Sequence, residues 1–137
     1  MNDMLARHLD WFAGLSPATL AQIDRVYAAD ASFRDPFHHL RGRTAIQEVY
    51  ARMFRTLTQP RFVIGEVVQQ GNTAFVNWDF CFALHGRQLQ IHGGTLLRLD
   101  DAGLIREHRD YWDAAEGVYE QLPLLGWLLR CLKRRMA

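Results

Sequence analysis

The stretch "RFVIGEVVQQGNTAFVNWDFCFAL", residues 61–84, decides the fold. Apolar residues recur at period two on both sides of Gly71-Asn72, a pattern typical of two strands joined by a tight turn. The same pattern continues beyond this stretch, after turn signals at His85-Gly86 and at 100–103. The sequence therefore predicts three successive hairpins built from four strands, 61–70, 73–84, 87–99 and 104–113.

Two helices are predicted near the start of the chain. Leu5, Leu9 and Phe12 recur at helical spacing, and Gly14 follows them where a helix C-terminus favours glycine. A second helix is indicated from Ser16-Pro17, since a capping hydroxyl precedes a proline at the first helical position. We expect this helix to end near 29–30, with one apolar face formed by Leu20, Ile23, Val26 and Tyr27.

A third helix is predicted after a short extended segment. Asp35 precedes a proline, which favours extended backbone and places this carboxylate at a strand end or turn. The residues 44–47 resemble a capping box and start the clearest apolar stripe of the chain. Its members are Ile46, Val49, Tyr50, Met53, Phe54 and Leu57.

The order of these elements predicts an α+β fold. Three N-terminal helices would pack on one face of a strongly curved antiparallel sheet. A chain of 137 residues fits one domain, 1–137, by size. The formal net charge of +1 excludes a global electrostatic case for nucleic-acid binding. We expect a cytoplasmic protein, because no secretory signal or membrane-spanning segment is seen and two widely spaced cysteines suit reduced thiols.

A further helix is predicted at 122–135, within "LPLLGWLLRCLKRRMA". A broad apolar face carrying Trp127 and several leucines would oppose a narrow basic face with Arg130, Lys133 and Arg134. The favoured expectation is that this helix covers the sheet, the pocket mouth or a dimer partner. Reversible docking on an anionic membrane surface is the alternative.

Three segments resemble a known family. "AADASFRDPF" (28–37), "RGRTAIQEVYARMF" (41–54) and "LIREHRDYWD" (104–113) are similar to the SnoaL-like group of the nuclear-transport-factor-2-like superfamily. This group includes ketosteroid isomerases, polyketide cyclases and limonene epoxide hydrolase. The resemblance implies a cone-shaped fold, a pocket between sheet and helices, and a homodimer.

The resemblance also implies roles for individual residues. Asp35 lies where ketosteroid isomerases place their proton-moving aspartate, while Trp11 and Thr95 lie near the positions of the two acidic hydrogen-bond donors. Indole and hydroxyl groups are much weaker acids than the groups they replace. Asp110 lies where the epoxide hydrolase places its general base, and Asp79 at the second aspartate of its charged triad. Asn77 takes the place of the arginine, and Phe33 that of a tyrosine.

The residues point to a polar cavity independently of the family. Strand alternation places Arg106, His108, Asp110 and Trp112 on one face, so this face of 104–113 is not simply apolar. Asn77 and Asp79 share a face within an otherwise apolar run. If Asp35, Asp79 and Asp110 converge, one of them should retain its proton, which gives the acid and base of a proton transfer, with His108 as an accessory. The alternative is that each carboxylate accepts backbone N–H bonds or pairs with an arginine.

The sequence thus predicts a protein that binds a mostly apolar small molecule. Acid–base catalysis without a cofactor or metal is the main hypothesis, and the alternatives are a non-catalytic ligand-binding module or a protein-interaction domain. The adjacent histidines His38 and His39 match no metal-ligand spacing. The predicted catalytic residues are Asp110, Asp79, Asp35 and His108. The predicted substrate-binding residues are Trp11, Phe33, Phe54, Asn77, Thr95 and Trp112.

Overall fold

The computed structural model describes residues 1–117 and 123–136. Helix α1 (Asp3–Ala13) and a 3₁₀ helix (Thr19–Arg25) precede strands β1 (Tyr27–Arg34) and β2 (His39–Arg41). Helix α2 (Arg43–Thr56) leads into the long strands. These are β3 (Thr58–Gln70), β4 (Thr73–Leu84), β5 (Arg87–Leu99) and β6 (Ile105–Trp112), followed by α3 (Ala114–Gly117) and α4 (Pro123–Met136).

The second predicted helix is wrong in type and length. Ser16 and Thr19 bond to one another through both backbone and side chains, which closes a turn before the 3₁₀ helix begins. The chain is already extended at Tyr27, which pairs with Ile105 of β6. Backbone pairing in the sheet therefore overrides the helical spacing of the apolar residues.

Helix α2 lies where the sequence places the third helix, but the predicted capping box is wrong. The N-cap is Gly42, with a φ of 100° and no side-chain cap bond. Its N–H donates to the carbonyl of Ala31 at 2.8 Å, and its carbonyl accepts from Ile46. Glycine suits this left-handed entry, so Thr44 lies inside the first turn rather than ahead of it.

The six strands form one curled, unclosed sheet in the order β2-β1-β6-β5-β4-β3. Strands β3 to β6 form the antiparallel hairpins that the sequence predicts. The expectation of a purely antiparallel sheet needs correction, because β1 runs parallel to β6. These two strands are separated by most of the chain, so no hairpin constrains their direction.

The core lies between the helices and one face of the sheet, here called the inner face. Along β4 the buried residues Ala74, Val76, Trp78 and Phe82 alternate with more exposed ones, so even-numbered positions point inward. In β6 the register shifts between Ile105 and Glu107, and both Ile105 and His108 are buried. This irregularity turns His108 toward the helices.

Helix α4 spans nearly the range that the sequence assigns to a C-terminal helix. Trp127, Leu132 and Met136 are exposed, as are Arg134 and Arg135. The side chains of Leu125, Leu128, Leu129 and Lys133 lie outside the described part, and the surface on which α4 docks stays a prediction. None of the helices in the described ranges has the length and apolar character needed to cross a bilayer.

Candidate functional site

A chain of four hydrogen-bonded side chains crosses the core. Asp110 Oδ1 lies 2.7 Å from His108 Nε2, and His108 Nδ1 lies 2.7 Å from the hydroxyl of Tyr27. That hydroxyl lies 2.9 Å from the hydroxyl of Tyr50. The four residues belong to β6, β1 and α2, so this chain, the Asp–His–Tyr–Tyr chain, ties the helix layer to the sheet.

Two further side chains fix the orientation of Asp110. The indole N–H of Trp78 donates to Thr95 Oγ1 at 2.7 Å, which leaves the threonine hydroxyl hydrogen free to donate to Asp110 Oδ1 at 2.6 Å. Oδ1 therefore receives two hydrogen bonds from side chains. Within the described residues no hydrogen bond reaches Oδ2, so this oxygen remains able to act on another molecule.

Aromatic rings enclose His108. The ring centroids of Phe33 and Phe12 lie 4.6 and 5.8 Å from that of the imidazole, and the Tyr27 ring is stacked on it at 5.9 Å. Burial raises the pKa of Tyr27 and of Tyr50 well above 10, and the nearby Asp110 charge acts in the same direction. Both phenols therefore keep their protons across the physiological pH range.

An apolar cavity of about 410 Å³ opens next to Asp110. Its walls come from α2, the inner face of the sheet and the β1–β2 turn, and most of them are aromatic or aliphatic. A smaller cavity of about 40 Å³ lies deeper, against His108 and Thr95. Both cavities are lined by Tyr50, Phe62, Trp78 and Asp110.

Asp35 lies in the β1–β2 turn, as predicted, and also contributes to the cavity wall. Its Oδ1 accepts the backbone N–H groups of Phe37 and His38, at 2.8 and 2.6 Å. The His38 ring lies 2.9 Å from the same oxygen. The carboxylate thus holds the turn while it borders the same cavity as Asp110.

Asp79 and Asn77 share a face, but that face is the outer one. Asp79 Oδ1 lies 2.7 Å from the ring of His92 on β5, and both side chains are exposed. Hydrogen bonds from His92 and Gln90 hold the pKa of Asp79 below its ordinary value of 3.8. Asn77 accepts the backbone N–H of Glu66, where the β3–β4 register shifts. The structure therefore does not bring Asp79 or Asn77 to Asp110.

The remaining predicted binding residues divide into two groups. Phe33 and Trp112 line the large cavity, and Thr95 lines the deeper one. Trp11 donates its indole N–H to the carbonyl of Thr19 and packs edge-on against the rings of the helix layer. Neither Trp11 nor Phe54 lines these two cavities.

The predicted site omits Tyr27 and Tyr50. Both belong to predicted apolar stripes, which agrees with their burial but takes no account of their hydroxyl groups. A tyrosine in an apolar stripe needs a hydrogen-bond partner in the core, and this need is the sequence feature that could identify Tyr27 and Tyr50. Across 1–117 and 123–136, no three His, Cys, Asp or Glu side chains are grouped so that they could hold a metal ion.

A family model for the SnoaL-like domain matches residues 9–108. The chain belongs to the SnoaL-like domain family. The fold of this SnoaL-like protein is similar to that of a hypothetical protein with a ketosteroid isomerase-like fold from Catenulispora acidiphila, in complex with trimethylamine. That protein is 20% identical, over 90% of this chain and 95% of the other, with a TM-score of 0.73.

Two further structures share the fold. An LEH-like epoxide hydrolase from M. tuberculosis is 18% identical, over 81% of this chain and 84% of the other, with a TM-score of 0.69. TerC, co-crystallized with polyporic acid, is 18% identical over 84% of this chain and 95% of the other, with a TM-score of 0.73. No curated protein of known function matches the sequence. At these identities the likeness establishes the fold and leaves the chemistry to the site.

Proposed function

We propose that this SnoaL-like protein binds a mostly apolar small molecule between the sheet and the helices and catalyses cofactor-independent proton transfer on it. Asp110 is the base. One observation carries the proposal: Asp110 is fixed by two side-chain hydrogen bonds to Oδ1, while Oδ2 has no partner in the described residues and the side chain lines the apolar cavity.

The hydrogen bonds at Asp110 favour catalysis over simple structural use. A carboxylate that serves the fold is typically saturated by backbone N–H groups or by an arginine, as Asp35 is by its turn. Asp110 is instead held by the side chains of His108 and Thr95. A hydrogen bond between a candidate base and a second side chain that orients it is one of the geometric features of an acid–base site.

The cavity supports a ligand with an apolar body and few polar groups. A volume of about 410 Å³ suits a small organic molecule of one or two rings. Few of its lining residues are polar, and Asp110, Tyr50 and Asp35 are among them. We therefore propose an isomerase-, cyclase- or hydrolase-type reaction on an apolar substrate with one polar end.

A non-catalytic ligand-binding module is the alternative. Two observations favour it: both oxygens of Asp35 are hydrogen-bonded within its turn, and Asp79 lies on the outer face, away from the cavity. In a module, Asp110 would orient a hydroxyl group of the ligand without taking a proton from it.

Native mass spectrometry of the full-length protein, purified from its host, separates these possibilities. We expect a small apolar molecule to co-purify with the wild type and with Asp110→Asn. The extracted compound should be converted by the wild type and by the control Asp79→Asn, but at least a hundredfold more slowly by Asp110→Asn. Binding with no conversion by any variant would support the module, and no bound or accepted apolar compound would refute the proposal.

We also propose a cytoplasmic homodimer formed through the outer face of the sheet. The outer face exposes four large apolar side chains, which a second copy would cover. These are Val63, Val68, Phe75 and Tyr111. Cys81 and Cys131 are both free thiols, which agrees with a reducing compartment.

Sedimentation equilibrium tests the dimer. We expect Val68→Asp to shift the protein to monomer, because a charge would be buried at the centre of the interface. Ala102→Asp places the same charge in the exposed β5–β6 turn and should leave the dimer intact. A monomeric wild type would exclude this interface.

A further inference from the structure

Both ends of the Asp–His–Tyr–Tyr chain line the large cavity, and its middle residues pass through the core. Asp110 lines the cavity at one end of the chain, and Tyr50 lines it at the other. His108 and Tyr27 connect them and are both buried. Because each consecutive pair of polar atoms is 2.9 Å apart or less, the chain is a continuous path for protons.

The chain has two hydrogen-bond patterns, which the charge of His108 selects. With a neutral ring, Nε2–H donates to Asp110 and Nδ1 accepts the Tyr27 hydroxyl, so Tyr27 in turn accepts from Tyr50. Tyr50 then has only a lone pair left for the cavity. With a second ring proton, Nδ1–H donates to Tyr27, Tyr27 donates to Tyr50, and the Tyr50 O–H is released toward the cavity.

We propose that Tyr50 exchanges a proton with an oxygen atom of the bound molecule, and that Tyr27 passes this proton to and from His108. This inference rests on the proposed function, since it supplies the acid that the base Asp110 needs. Tyr50 would touch the substrate and is therefore a catalytic residue. Tyr27 and His108 act through it and are positioning and relay residues.

The proton count balances for a neutral substrate. Asp110 Oδ2 forms an O–H bond with a proton that leaves a carbon atom of the substrate, and the C–H electron pair moves into the substrate π system. The substrate oxygen at the far end of that system takes the Tyr50 proton. Tyr50 regains one from Tyr27, and Tyr27 regains one from Nδ1 of His108. Asp110 starts as a carboxylate and His108 starts with both ring nitrogens protonated, so both end this step neutral. The cycle closes when Asp110 returns its proton to a different carbon atom of the substrate, and the proton on the substrate oxygen passes back through Tyr50 and Tyr27 to His108.

The surroundings favour this relay over exchange with solvent. Phe12 and Phe33 pack against the imidazole, and its Nδ1 is hydrogen-bonded to Tyr27, which connects it to Tyr50 at the large cavity. The titratable groups that His108 contacts are Tyr27 and Asp110, and the charges acting on Tyr50 are those of Asp110 and Asp35. Because burial raises the pKa of both phenols, neither rests as phenolate, and each would release a proton only as it gains another from its neighbour in the relay.

NMR of the ligand-free full-length protein tests the relay without a substrate. Imidazole ¹⁵N shifts give the charge and tautomer of His108, and the ¹³Cζ shift of Tyr50 reports its hydrogen bonding. We expect the neutral ring to carry its proton on Nε2. We also expect the Tyr50 signal to shift with the same pH midpoint as His108, while exposed Tyr111 does not follow it.

Tyr27→Phe should abolish the shift of Tyr50 while His108 still titrates. If this variant does not fold, Tyr50→Phe replaces it, and the Tyr27 signal should still follow His108. A proton on Nδ1 of the neutral ring, a Tyr50 signal that is flat in the wild type, or one that still follows His108 in Tyr27→Phe would overturn the relay. None of these results would affect a conversion that depends on Asp110. If the Tyr50 signal follows His108 in a protein that converts no compound, the hydrogen-bond coupling within the Asp–His–Tyr–Tyr chain is retained, whereas the proposed function and the proton transfer from Tyr50 to a substrate are refuted.

Discussion

Two histidine–aspartate pairs with the same 2.7 Å separation lie on opposite faces of this sheet. In the outer pair the side chains of His92 and Asp79 are 68% and 36% exposed. In the inner pair those of His108 and Asp110 are 5% and 15% exposed. Water and salt screen the outer pair, whereas the inner pair interacts in a medium of low dielectric constant.

The two pairs show that the residues bonded to a histidine–aspartate pair, and not the distance within it, determine whether the pair can form a functional site. Within one copy of the protein the outer pair meets Gln90 and solvent. The inner pair is continued by Tyr27 and Thr95, and so joins both cavities to the core. A change in its protonation therefore alters the hydrogen bonds of several residues at once.

The largest expected effect comes from removing each histidine in turn. His108→Ala should lower the free energy of unfolding by about 3–5 kcal/mol, because it leaves buried polar groups of Asp110 and Tyr27 without their partner. His92→Ala should leave that of the single copy unchanged within error, since within one copy the pair is open to water. Urea denaturation measures both, and equal losses would remove the contrast between the faces.

A smaller effect is expected at two consecutive glycines of β5. A Cβ on Gly93 would lie 2.6 Å from the Trp78 ring and 3.0 Å from Trp112, on the inner face. A Cβ on Gly94 would meet only the far end of the Phe75 ring, which is exposed in one copy of the protein. Gly93→Ala should therefore cost about 1–3 kcal/mol and disturb the Trp78–Thr95 bond.

Gly94→Ala is the matched control and should stay within about 0.5 kcal/mol of the wild type. Thermal unfolding and tryptophan fluorescence give both readouts. A Gly93→Ala protein with native stability and an unchanged tryptophan spectrum would show that the inner face accommodates the added methyl group, and would contradict this prediction.

The smallest effect concerns the pH dependence of the outer pair. The pKa of Asp79 is lowered in the folded protein, so its contribution to stability is present above pH 3.8 and is lost as the pH falls through the lower folded value. Asp79→Asn should therefore reduce stability slightly at neutral pH and not at all in strong acid. Denaturation curves at pH 7 and below pH 3 test this, and a loss that grows in acid would have the wrong sign.

The sheet was predictable because the hairpin signals are local. Gly71-Asn72, His85-Gly86 and the turn at 100–103 fix the long strands to within a few residues of their observed ends. The parallel pairing of β1 with β6 could not be predicted in this way, because it joins residues such as Phe33 and His108 that are far apart in the sequence. That pairing also explains why Tyr27 is the first residue of a strand and does not lie near the end of a helix.

The site was predictable where alternation was counted consistently. His108, Asp110 and Trp112 share the inner face as predicted, although the irregularity near Ile105 was needed to bury His108. Asp79 was assigned to the cavity from its apolar neighbours in the chain. Those neighbours at even positions, such as Trp78, point inward and leave Asp79 on the outer face. Adjacent residues of a strand point to opposite faces of the sheet. The apolar neighbours of Asp79 therefore indicate that the opposite face is buried, and not that Asp79 is.

Deuterium incorporation into the compound extracted from the protein tests the central claim most directly. In D₂O, the wild type and Asp79→Asn should exchange one carbon-bound hydrogen of this compound for deuterium, as mass spectrometry would read from a gain of one mass unit. Asp110→Asn should bind the compound and incorporate no deuterium above the uncatalysed rate. Exchange that survives Asp110→Asn, or that is lost instead in Asp79→Asn, would contradict the assignment of the inner pair as the site of proton transfer.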